Sequence, residues 1–309
     1  MAADGTVPHV GNTGCAVFEP QEDLGVTVSR SDPSALRFLI GHELRSARLR
    51  AGVSQADAAK ELGCTQPKIN NMESGKYQQH PDEATKLMRL YGADVEQIDR
   101  IASLAGRADQ STWWAPFSEV LPNWFKTFVG LEGLASSQFT YQAMTLTGQL
   151  QTEGYAAALL SGGLQIAPLD LPQAIRARMA RQRLVGSDPL RLQAVIEENT
   201  LDRLVGGVDV MAEQLQHLRD LMDRDNVDLR IMASSTAVHA GLDGDFTLLN
   251  FDEALSLGYI EYQTGALYVQ DQAQVAMYKM IADRLLSLAL SAEESARMIE
   301  GRIDRLQRA

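Results

Sequence analysis

Cysteine is nearly missing from this chain: its 309 residues hold two, Cys15 and Cys64. Two cysteines cannot build a disulfide framework, and neither has a partner at metal-ligand spacing. A reduced, cytoplasmic setting is the expectation. No apolar run approaches the roughly 18 residues that a membrane span needs. The opening, MAADGTVPHVGNTG, lacks the basic-then-apolar order of a signal peptide. Neither a Walker-type nor a dinucleotide Gly-rich loop occurs. The five histidines, His9, His42, His80, His217 and His239, are scattered. No cofactor and no metal are expected, and no membrane as partner.

Positive charge is also short. Lys and Arg number 28 against 40 Asp and Glu, a net charge of −12. That excludes loose electrostatic coating of nucleic acid. The shortage is uneven, however. Between Ala35 and Gly92 the bases Arg37, Arg45, Arg48, Arg50, Lys60, Lys68, Lys76, Lys86 and Arg89 outnumber the acids Glu43, Asp57, Glu61, Glu73, Asp82 and Glu83. The remainder carries the acidic excess.

Within this mildly basic segment lies SQADAAKELGCTQPKINNMESGK, Ser54 to Lys76. Ser54 suits an N-cap, with Asp57 three residues on. Ala58, Ala59 and Leu62 give an apolar stripe at helical spacing. Gly63 suits a left-handed residue ending the helix. Thr65 suits the cap of a second helix with Pro67 early in it. Ile69 and Met72 face inward, leaving Gln66, Lys68, Asn70 and Asn71 outward. The layout predicts a helix-turn-helix whose second helix offers amides to base edges in the major groove. Gln66, Pro67, Lys68, Asn70 and Asn71 are the expected reading surface. Gln55 and Thr65 would set the helix on the backbone, and Arg48 and Lys76 would meet phosphate.

The ending Glu73-Ser74-Gly75-Lys76 makes the segment resemble the Xre/phage-repressor family over roughly residues 35 to 106. The surrounding pattern agrees. Ala35 to Ala51 reads as a helix with Ile40, Leu44 and Ala47 inward. His80-Pro81-Asp82-Glu83 opens a fourth helix, and Asp94 with Gln97 opens a fifth. The resemblance implies an all-α, five-helix, lambda-repressor-like DNA-binding domain.

Residues 1–34 read as a flexible arm and 107–112 as a linker. All three tryptophans, Trp113, Trp114 and Trp124, follow closely. They suit a hydrophobic hinge, or alternatively an aromatic wall of a ligand pocket. Beyond them, helical and strand-like stretches alternate. Strands are expected near 138–144, 190–197, 226–234, 246–251, 258–262 and 266–269. Long helices are expected near 211–224, 272–290 and 292–307. This alternation predicts a mixed α/β domain over 113–290, with a separate C-terminal helix at 291–309. Arg176, Arg178, Arg181 and Arg183 read as solvated charge spread over several faces.

Gln151 within Leu150-Gln-Thr152, Arg178-Met179, Arg181-Gln182, Val205-Gly-Gly207 and the stretch from His239 to Leu249 resemble the C-terminal domain of a large actinobacterial regulator family. The resemblance covers roughly residues 113 to 285. It implies an antitoxin-like transcriptional regulator binding double-stranded DNA as a homodimer, with a small acidic protein partner or a small-molecule effector. Trp113, Trp114, Trp124, Gln151, His239 and Asp243 are the candidates for meeting that partner. Two departures stand out. Thr147 replaces the family's Pro before Gly148, and Asn71 replaces its Arg in the recognition helix, which implies a different operator. A second reading makes the protein an antitoxin that neutralises its partner and autoregulates its operon. An enzyme is the third, since His239 and Asp243 lie near Ser234 and Ser235. Gly-flanked loops of this kind more often make tight turns between strands, and a non-catalytic protein is expected.

Overall fold

A computed structural model describes residues 32–107, 114–184 and 189–308. The expected arm falls outside these residues except for Asp32, Pro33 and Ser34, and so do Trp113 and most of the expected linker. Those three arm residues begin a helix instead. The Asp32 carboxylate accepts from the Ser34 and Ala35 amides at 2.9 and 3.0 Å, and Pro33 occupies the first turn.

Five helices form the N-terminal domain: α1 (Pro33–Arg50), α2 (Gln55–Leu62), α3 (Gln66–Glu73), α4 (Pro81–Leu90) and α5 (Val95–Arg107). Ser54 caps α2 through the Asp57 amide, and Gly63 ends it at φ +71°. Leu36, Ile40, Leu44, Ala58, Ile69, Met72, Leu87, Met88 and Ile101 share one core. Burial of large apolar side chains at about 1.5–3 kcal/mol each holds a domain this small together.

The second domain is built on six strands: β1 (Ser137–Gln142), β2 (Arg191–Glu197), β3 (Val227–Met232), β4 (Phe246–Asn250), β5 (Leu257–Tyr262) and β6 (Gly265–Val269). Their spatial order is β3-β2-β1-β4-β5-β6. β1, β2 and β3 run parallel, whereas β4, β5 and β6 are antiparallel to their neighbours. The parallel part needs helical crossovers. They are α7 (Glu153–Ser161) with α8 (Leu171–Arg181), and α9 (Val208–Met222). The antiparallel part needs only short turns.

Strand alternation assigns the two faces. Leu192, Ala194 and Ile196 join α8, α9 and α6 (Asn123–Leu134), while Val195 points the other way. On that second face, Phe139, Tyr141 and Phe246 pack against Val275 and Leu285 of α10 (Gln272–Leu288). The last helix, α11 (Ala292–Gln307), is not the separate piece expected. It lies along α9 and β3, buries Ile299 and Ile303 in the domain core, and accepts the Ile231 amide on the Ser295 hydroxyl at 2.9 Å. Arg302 fixes its far end to Glu198 and Asp202. An all-α head followed by a mixed α/β domain is the architecture the sequence implied.

Helix α1 carries the contact between the domains. It packs on α3 and α5 within the head and on α6 of the second domain. At Gly130 the backbones approach so closely that a Cβ would stand 2.8 Å from the Ala35 Cβ and on top of the Asp32 carboxylate. Trp114 donates its indole N–H to that carboxylate. Phe38 meets Tyr268 with ring centroids 5.1 Å apart, and Glu43 accepts the Leu255 amide at 2.7 Å. Trp114 is thereby tied to the start of α1.

Candidate nucleic-acid interface

Helix α3 is set by what its inner side bonds. Glu73 is buried and accepts Arg48 Nε at 2.5 Å, Arg48 Nη2 at 2.9 Å and Gln55 Nε2 at 2.9 Å. Arg48 also donates to the Val53 carbonyl at 2.9 Å. The carboxylate raises the Arg48 pKa above its ordinary value. Gln79, itself buried, donates to the carbonyls of Met72 and Arg37, at 2.6 and 3.0 Å. Gly41 lets α1 touch the end of α3: a Cβ there would stand 2.6 Å from the Met72 carbonyl oxygen. These contacts orient α3 from three sides.

The outer side is open with the second domain in place. Gln66, Pro67, Asn70 and Ser74 are exposed, and Gln66 and Asn70 share one face, four residues apart. Thr65 is exposed too, and its hydroxyl makes no cap bond, so the role expected of it at the helix start is not filled in the free protein. Asn71 is half-buried. Its carbonyl accepts the Lys76 and Tyr77 amides at 2.9 and 3.2 Å and closes the turn. Lys76 is exposed beside Tyr77, an aromatic ring 52 % exposed that the sequence reading passed over.

Three expected contacts come out differently. Arg48 faces inward, with both edges of its guanidinium held by Glu73 and Val53, so it fastens the domain and does not reach phosphate. Gln55 commits its amide nitrogen to Glu73 and supports α3. Lys68 is half-buried and pairs with Glu83 at 2.5 Å. Glu73, unassigned by sequence reasoning, is the centre of the arrangement. Its place directly after the inward Met72, on the buried side of the helix, was the only local feature to notice.

The expected partner residues of the second domain do not converge. Trp124 and Gln151 line two adjoining cavities. His239 is elsewhere, 3.4 Å from Glu197, whose carboxylate also accepts the Tyr141 hydroxyl at 2.6 Å. Asp243 is exposed, and no hydrogen bond joins it to His239 among the described residues. Ser234 and Ser235 are exposed, and the Ser234 amide donates to Glu198.

Of the four arginines read as solvated, Arg176 is exposed, but the other three are not free in solvent. Arg181 is buried, donates to Glu132 at 2.8 Å and lies over the rings of Phe125 and Phe128 at 4.6 and 5.6 Å. Arg183 is buried and gives one nitrogen to the carbonyls of Glu132, Gly133 and Ala135 at the end of α6. Arg178 stands in the wall between the two cavities and donates to Gln151 Oε1 at 2.8 Å. The smaller cavity, about 80 Å³, is apolar at Leu121, Trp124, Leu160 and Ile166. The larger, about 370 Å³, is more polar, with Gln142, Thr145, Thr147, Thr247 and Gln263 in its wall.

Residues 39–101 match a family described as a helix-turn-helix domain. Residues 125–301, more than half of the chain, match a family described as a domain of unknown function, DUF5753. The chain belongs to the DUF5753 family. No curated protein and no solved structure matches it. In this DUF5753 protein, α2 and α3 fall inside the helix-turn-helix match, and both Arg178 and the larger cavity fall inside the DUF5753 match. The pairing is that of a helix-turn-helix, transcription-regulator-like protein. No helix among the described residues is long and apolar enough to cross a membrane.

Proposed function

We propose that this protein is a sequence-specific, double-stranded-DNA-binding transcriptional regulator of the Xre type. It acts as a homodimer, and its second domain senses an effector. The supporting observation is α3: a helix fixed on its inner side by Glu73, Gln79 and Gly41 and open on its outer side at Gln66, Pro67 and Asn70. Amides there suit adenine edges, and the exposed Lys76 beyond the helix end offers a charge to a phosphate. The basic head and acidic remainder favour a specific site over general attraction, because the acidic surface repels the duplex everywhere else. No catalytic step is assigned to His239, whose nearest acid also holds Tyr141.

Genome-wide occupancy followed by footprinting of the strongest site tests this reading. A shared sequence with two half-sites about one helical turn apart is expected of a homodimer. Occupancy without any common sequence would remove sequence-specific regulation.

The antitoxin-like reading draws on the same acidic surface, which suits a cationic partner better than the small acidic one implied by the sequence resemblance. Copurification of a basic neighbour-encoded protein at fixed stoichiometry would favour it.

A further inference from the structure

Arg178 differs from the buried arginines. Arg48, Arg181 and Arg302 each meet a carboxylate within 4 Å. Arg183 ends on three backbone carbonyls. Among the described residues, Arg178 has no carboxylate at ion-pair distance, and its one hydrogen-bond acceptor is the neutral Gln151 amide. Burial, with the Arg181 charge beside it, pulls its pKa down to about 10. A desolvated guanidinium whose one direct acceptor is neutral has no ion-pair partner in contact with it to offset the loss of water.

Glu261 and Glu132 offset part of that burial through space, but neither meets the guanidinium directly. Glu132 is engaged by Arg181, Glu261 accepts the Tyr259 hydroxyl at 2.9 Å, and Asp245 accepts the Ala143 amide at 2.8 Å. Gln151 is itself held, donating to the Leu146 carbonyl at 2.7 Å, so Arg178 is positioned rather than loose. Gly148 passes close by, where a Cβ would stand 3.1 Å from Arg178 Cδ. One side of the guanidinium borders the apolar cavity beneath Trp124. The other borders the roomier polar one.

We propose that these joined cavities bind a small organic anion, a carboxylate or a phosphate monoester with an apolar body. Its head sits on the open N–H groups of Arg178, and its body lies in the lobe lined by Leu121, Trp124, Leu160 and Ile166. The planar fork suits either head. The proposal rests on the reading of the second domain as an effector sensor. It is measured without DNA, so its failure leaves DNA recognition by α3 where it stands, and the reverse holds too.

The test is calorimetric titration of the full chain with octanoate, octyl phosphate, octanol and octylammonium, with thermal unfolding in parallel. At least one of the two anions binds and raises the unfolding temperature, while the alcohol and the ammonium bind at least about tenfold more weakly. Whichever anion binds more tightly assigns the head. Arg178→Gln weakens that anion by on the order of 10- to 100-fold, and Arg178→Lys falls between. If Arg178→Gln does not fold, as read by circular dichroism, the four-ligand series on the parent chain and Arg178→Lys decide. Equal binding of octanol and the anions, no binding of either anion, or undiminished anion affinity in folded Arg178→Gln overturns the proposal.

Discussion

Glu73→Gln is the most informative single change, because it alters one charge and almost no volume. In the parent, the Glu73 side chain is 3 % exposed and takes three hydrogen bonds, two of them from the 9 %-exposed Arg48 side chain. The amide keeps one acceptor oxygen and turns an NH₂ toward a guanidinium that remains charged. Breaking one side of a buried pair costs about 3–5 kcal/mol. Arg48 retains the Val53 carbonyl, and Gln can still accept one bond, so the lower end applies, about 3 kcal/mol. Denaturant unfolding of the head, read by far-ultraviolet circular dichroism, measures it. Replacing both partners, Arg48→Met with Glu73→Met, should recover most of the loss, since the pair then needs no solvation. Specific DNA binding should fall in Glu73→Gln even though neither residue faces the groove, because α3 loses its tether to α1. A loss under about 1 kcal/mol, or a double variant no better than the sum of its parts, would refute this reasoning.

Other expectations follow from the domain contact. Gly130→Ala places a Cβ against Ala35 and the Asp32 carboxylate; it should loosen the α1–α6 contact by about 1–3 kcal/mol, seen as faster amide hydrogen exchange in α1 and α6. His42, buried against Gln272, has its pKa lowered to about 4 by burial and by Arg45 and Arg50. Its neutral ring accepts from a Gln272 amide nitrogen already oriented by the Gln270 carbonyl, so protonation would set donor against donor. A depressed folded pKa means stability present above the ordinary value of 6.5 and lost as pH falls toward 4, up to about 3 kcal/mol. His42→Asn should flatten that part of the pH profile relative to the parent, and parallel profiles would contradict it.

The head was legible because its signals are local. Ser54 with Asp57 and the Gly63 turn sit within a few residues of what they control, and the apolar stripes repeat at helical spacing. The strands of the second domain were legible as short strand-like stretches, while the faces of Leu192, Ala194 and Ile196 against Val195 came only with the structure. What the sequence concealed depends on partners far along the chain. Arg48 looked like a phosphate contact because Glu73, 25 residues on, carries no mark of being its acceptor. Arg181 and Arg183 looked solvated because Glu132 and the end of α6 lie about 50 residues away. A glutamate inside the otherwise apolar run of α6 was the one visible hint that a cation must come to meet it. Where the last helix would pack was hidden for the same reason, since α9 and β3, which cover its apolar stripe, are remote in sequence.

Everything proposed for the head turns on the outward amides of α3 reading bases. The direct measurement is a salt-series titration of the strongest footprinted site, and of an unrelated duplex, with the parent, Asn70→Ala and Lys76→Ala. Asn70→Ala should weaken the specific site by about 1–3 kcal/mol and leave the unrelated duplex unchanged, whereas Lys76→Ala should weaken both and lower the salt slope by about one. Unchanged affinity of Asn70→Ala for the footprinted site, or an equal loss on both duplexes, would contradict the claim.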